Sequence, residues 1–169
     1  MDQNISLEEI TCNEGIVKKY VRNLSLFSDL DESEFAQLAR WFRVYTAKAG
    51  EFVFKEGDQS SQLCLVAEGL ITIYKQINEA ELFQVAQIKE GGSIGEMGVL
   101  EDKPISATAI ASVNSVVFII SADNFNRLIT ENEKMGVKLL KKIGQIISAR
   151  LRKTTAMLAE VSIAKSDVS

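Results

Sequence analysis

Between Arg43 and Ile120 the chain alternates short apolar bursts with glycine or polar turns. "EFVF", "QLCLVA", "LITIYKQI", "LFQVAQI", "ATAIAS" and "SVVFII" read as six short strands. "AG", "KEGDQ", "AEG", "NEAE" and "KEGGS" lie around them as turn segments. A period of two places alternate side chains on opposite faces of a strand. Short strands at this even spacing imply an antiparallel β-roll or jelly-roll barrel. That pattern limits the fold class to mainly β with flanking helices.

The flanks change period. From Leu7 to Phe42 the pattern is helical, in "GIVKKYVRNL" and "DESEFAQLARWF". Phe35, Leu38, Ala39 and Phe42 recur at helical spacing, and Asp31 or Ser33 suits the N-cap. After the strands, "SADNFNRLITENE" reads as a helix capped by Ser121 or Asp123, followed by a long helix from about Lys134 to Val161. The chain is expected to form a single domain. It comprises a helical segment 1–42, a β-roll 43–120, helices over 121–161 and a tail 162–169.

Composition excludes several chemistries. With no histidine, no Ser-His or Cys-His nucleophilic pair and no histidine zinc site can form. No phosphate-binding GxxxxGK[ST] loop is present, and the carboxylates are scattered through turns. Enzyme activity and a metal site are not expected. Cys12 and Cys64 lie too far apart in sequence for a CxxC pair, and the acidic start lacks the plan of a secretory signal. The longest apolar run, Val116 to Ile120, is too short to span a bilayer. A cytoplasmic setting with no membrane partner is the expectation.

The last helix carries a stripe. Leu140, Ile143, Ile147, Leu151, Thr154, Leu158 and Val161 recur at a mean step of 3.5, the period of a coiled-coil seam. Such a helix can lie along its own barrel. At roughly 1.5 Å per residue it is longer than a small barrel covers, so a homodimer through this helix is preferred. Charge follows the same division. Residues 1–130 carry 11 basic and 19 acidic residues, a net of −8; residues 131–161 carry seven and three, a net of +4. The basic residues, Arg150 among them, flank the seam without aromatic interleaving and read as a solvated face that also meets the chain's own acidic barrel.

The segment "GEMGVLEDKPISAT", Gly95 to Thr108, joins the strands "LFQVAQI" and "ATAIAS". Gly95 and Gly98 allow close backbone approach, and a helical turn starting near Glu96 offers unpaired N–H groups to an anion. Glu96 would repel a phosphate but accept strongly from a hydroxyl. Phosphate together with sugar hydroxyl means a nucleotide. The glycines also suit the turn alone, and Glu96 also suits a helix cap.

These residues, with "AGEFVFKEGDQSSQLCLVAEGLITIY" before them and the long helix after, resemble the cyclic-nucleotide-binding domain family. This is the β-roll sensor of the bacterial catabolite activator and of cAMP-dependent kinase regulatory subunits. The resemblance runs from about Leu24 to Val161, with a cassette over 93–108. It implies that Glu96 accepts the ribose 2′-hydroxyl and that amides around Gly95 and Gly98 face ribose and cyclic phosphate. It places Ser106 just after the phosphate-binding position, and Thr154 and Thr155 toward the base. It also implies cAMP or cGMP as the ligand, with no other cofactor.

At the family's phosphate-binding arginine this chain has Ile105. A charged hydrogen bond to a buried phosphate is worth about 1.5–3 kcal/mol. Its loss favours weak cyclic-nucleotide binding or a related, less charged ligand. Lys103 is the only cation near the cassette in sequence. The functional expectation is a regulatory sensor that relays ligand binding through the C-terminal helix to a protein signalling partner. The alternative is a degenerate domain that dimerises and holds partners. Only eight residues follow Val161, too few for a helix-turn-helix, so no DNA reading is expected from this chain.

Overall fold

The computed structural model describes residues 7–59, 61–78, 81–101 and 103–166, with side chains as far as 160. Two antiparallel sheets form the centre. One has the order β1 (Glu8–Ile10), β2 (Arg43–Ala47), β9 (Ser115–Ser121), β4 (Gln62–Glu68), β7 (Ser93–Ile94). The other has the order β3 (Phe52–Phe54), β8 (Thr108–Ala111), β5 (Leu70–Asn78), β6 (Glu81–Lys89). The expected antiparallel β-roll with flanking helices and a long C-terminal helix is what forms.

Strand alternation builds two cores. From β4 and β9, Cys64, Val66, Val117 and Ile119 point between the sheets and meet Val53, Phe54, Ile71 and Ala109. The intervening Leu63, Leu65, Phe118 and Ile120 face the helices. Helix α1 (Glu14–Tyr20) is capped by Asn13, whose side chain accepts from the Ile16 amide at 3.1 Å. Helix α2 (Glu32–Leu38) begins with a capping box between Asp31 and Glu34. Ser33 donates its hydroxyl to Asp31 rather than capping. Ser121 caps α4 (Ala122–Glu131), accepting from the Asn124 amide.

The helical expectation for 1–42 needs correction at Glu8–Ile10, a strand paired with β2. Three residues show no period of their own, and here the edge of a neighbouring strand decides. β2 and the two-residue β7 also add to the six expected strands. Helix α5 (Glu133–Ser166) extends past Val161, so residues 162–166 of the expected tail are helical. The side chain of Val161 and residues 167–169 lie outside the described residues.

The apolar stripe on α5 divides. Met135, Leu139 and Ile143 recur every fourth residue and are buried in the helix-facing core, with Ile147 packed against it. Ile143 is fully enclosed, so it is unavailable to a partner chain, contrary to its place in the expected seam. Lys138 pairs at 2.6 Å with the buried carboxylate of Glu34, which also accepts from the Asp31 amide, and so ties α5 to α2. Residues 149–160 are all exposed, including Leu151 and Leu158. One end of α5 is anchored in the fold and the other projects along it.

Candidate functional site

The segment between β7 and β8 turns sharply at Gly95, whose φ is +88°. A Cβ there would stand 2.1 Å from the Gln62 carbonyl oxygen on β4. Glycine at 95 is therefore required by the fold itself. Helix α3 (Glu96–Glu101) starts on the next residue. A Cβ on Gly98 would meet nothing nearer than the Lys103 carbonyl oxygen at 3.6 Å. Gly95→Ala is expected to lose about 1–3 kcal/mol from left-handed strain, with the clash adding to it. Gly98→Ala should keep the fold, or gain up to about 1 kcal/mol of helix propensity. Thermal melts of the two variants check this, and equal losses would overturn the distinction.

α3, the strands of the second sheet and α5 enclose a cavity of about 460 Å³, within the range of small-molecule sites. Gly95, Glu96, Gly98, Ile105 and Ser106 line it from the cassette, and Ile147, Arg150, Leu151 and Thr154 from α5. Phe54, Ile73, Ile88 and Ile94 complete an apolar interior. Five of the six expected site residues thus meet at one place. Thr155 does not line the cavity, because one helical residue turns it about 100° away from Thr154.

Glu96 is 3% exposed and fully engaged in ordered contacts. One carboxylate oxygen accepts from the Ser93 hydroxyl, and the other from Arg150 Nη1 at 2.8 Å. Arg150 Nη2 donates to the Ser93 carbonyl oxygen at 2.6 Å. The α5 guanidinium therefore clamps β7 and the first residue of α3 together. The expected contact of the basic helix face with the acidic barrel takes this form at Arg150, a site role that its sequence position alone does not single out. The available signal was its position four residues before Thr154, which puts the two on one helix face.

The other nearby cations are committed elsewhere. Lys103 pairs with Glu101 at 2.7 Å and does not line the cavity; the Glu101 hydrogen bond raises its pKa. Lys75 on β5 pairs with Glu56 and donates to the Ser106 carbonyl oxygen. Ile105 is held by backbone bonds to Asp58 and Gly57, and its side chain packs against the core between the sheets. A second cavity of about 240 Å³ shares Ile105, Phe54 and Gln62 with the first and includes Asp58.

Burial, and secondarily the charge of Glu96, push the Cys64 thiol pKa upward; burial raises Cys12 likewise. Neither thiol is in a setting that favours the reactive thiolate. Among the described residues no group of three or more Cys, Asp or Glu could hold a metal ion. No helix among them is long and apolar enough to cross a membrane.

The chain is similar in sequence to the cAMP-dependent protein kinase regulatory subunit of Blastocladiella emersonii, at 24% identity over 116 residues. That match takes in 69% of this chain but 29% of the subunit, so the chain spans less than a third of that relative. Its fold is similar to the crystal structure of a cyclic nucleotide-binding domain from Methylobacillus flagellatus, with a TM-score of 0.80 and 24% identity over 90% of this chain and 88% of that one. It is also similar to the Thermus thermophilus catabolite activator protein, with a TM-score of 0.70 and 22% identity over 82% and 63% of the two chains. Residues 45–132, just over half of the sequence and most of the β-roll with its cassette, match the family described as cyclic nucleotide-binding domain. The chain belongs to the cyclic nucleotide-binding domain family.

Proposed function

We propose that this chain is a non-enzymatic regulatory module that takes a small ligand between its β-roll and α5 and reports the ligand through α5. The observation that carries the reading is the Arg150 clamp. One residue of the long helix holds the carboxylate that the family offers to a ribose hydroxyl. A ligand hydroxyl arriving at Glu96 competes with that guanidinium for the same oxygens. Loosening it frees the part of α5 that makes no core contacts of its own. With Ile105 in the wall, cAMP and cGMP are taken weakly.

The ligand signal passes to a second copy of the chain through the exposed part of α5, and onward to a protein partner in the cytoplasm. No DNA reading by this chain is proposed. Hydrogen exchange at millimolar cAMP, with calorimetry on the same sample, tests the relay. Amides of residues 148–160 should change their protection while those of β4 and β9 stay constant, and Arg150→Ala should abolish the change. Binding without any response in α5 would refute the relay. Absence of binding by any small ligand would leave a dimerising scaffold.

A further inference from the structure

Resting on the ligand-binding reading above, we infer that the cavity prefers an uncharged, largely apolar molecule with one hydrogen-bonding oxygen over a cyclic phosphate. Charge is the first reason. Of the residues lining the cavity, only Glu96 and Arg150 are ionised, and they are bonded to each other. The wall is therefore neutral as a whole. A phosphate entering it would lose hydration without gaining a counter-charge of its own, and that desolvation would go uncompensated. Lys103 and Lys75 offer no relief, since each already holds a carboxylate and neither lines the space.

Surface chemistry is the second reason. Phe54, Ile73, Ile88, Ile105, Ile147 and Leu151 present apolar groups around the cavity. Burying a ligand's apolar area against them is favourable in proportion to the area removed from water. Ile105 extends this lining to the end where the family holds phosphate. Gln62, Ser93 and Ser106 add neutral polar side chains to the wall, and α5 contributes Arg150 and Thr154. Arg150 uses two of its five N–H donors on protein, and the Thr154 hydroxyl lies one turn away on the same face. That side suits one neutral oxygen, hydroxyl or carbonyl, on an otherwise apolar body.

Calorimetry of the full chain with 1-naphthol and 1-naphthyl phosphate separates the two classes, because the pair differs only in the phosphate. 1-Naphthol should bind at least about tenfold more tightly than 1-naphthyl phosphate, and more tightly than cAMP. Ile147→Trp, which fills the cavity, should remove 1-naphthol binding, as should Ala86→Trp from the opposite wall. Residual binding in a variant whose thermal melt is intact would place the probe elsewhere and overturn the inference. Equal or tighter binding of 1-naphthyl phosphate or cAMP would overturn it too, while leaving a ligand-sensing module. Failure of all three probes to bind would remove both.

Discussion

Ile105→Arg raises the affinity for cAMP by roughly 10- to 150-fold, the equivalent of about 1.5–3 kcal/mol for one charged hydrogen bond to a buried phosphate. The cavity it changes holds one carboxylate and one guanidinium, paired with each other. A second guanidinium gives the wall a net positive charge for the first time. The backbone at 105 is pinned on both sides, by its amide to Asp58 and by its carbonyl to Gly57. The new side chain therefore starts from a fixed point in the wall. The effect should be confined to the phosphate: adenosine, which keeps the base and the 2′-hydroxyl, should gain nothing. Parallel titrations of cAMP and adenosine against both proteins decide the matter. Equal gains for the two ligands, or none for cAMP, would show that position 105 does not face a bound phosphate. A guanidinium turned toward Asp58, across the wall that separates the two cavities, would produce that second outcome.

The natural chain is expected to sediment as a dimer at tens of micromolar, and Leu151→Glu combined with Leu158→Glu to make it a monomer. Both leucines are about two-thirds exposed in the single chain, on a stretch of α5 whose residues 149–160 touch no core. Burying a leucine side chain fully is worth about 1.5–3 kcal/mol, and a two-fold pairing buries four of them. Even a third of that sum, about 2–4 kcal/mol, moves a dissociation constant by roughly 30- to 1,000-fold. The substituted glutamates add a charge that must be desolvated at the seam. Sedimentation equilibrium reads the result directly. A natural chain that stays monomeric at that concentration would remove the seam. The seam is also shorter than its sequence pattern suggests, because Ile143 belongs to the chain's own core.

The strands that sequence displayed best are those whose neighbours merely confirm them. β4 and β9 are apolar runs buried on both faces, and β9 is rich in β-branched residues. β1 and β7 have three residues and two, and their pairing comes entirely from β2 and β4. Nothing within so few residues distinguishes a strand from a loop. Helix starts were legible because a cap is a local bond: Asp31 and Ser121 each satisfy amides two or three residues on. The same distinction runs through the site. Gly95, Glu96, Gly98, Ile105 and Ser106 all lie between β7 and β8, so one segment displays them together. Arg150 reaches Glu96 across 54 residues, and before folding it is one basic residue among eight on its helix. The packing of Met135, Leu139 and Ile143, with Ile146 and Ile147 against the same core, fixes which face of α5 turns inward.

Arg150 and Leu151 are consecutive residues, with Thr154 and Leu158 on the turns that follow. The surface that closes the cavity and the surface left to a second chain therefore occupy the same stretch of helix. Two equilibria that share a structural element share a coupling free energy, and that coupling is reciprocal. Whatever factor a bound ligand applies to self-association, self-association must apply to the ligand. Apparent affinity then becomes a function of protein concentration, higher or lower on dilution according to the sign of the coupling. Abundance would thereby set the threshold at which such a sensor responds, with no change in any residue of its pocket.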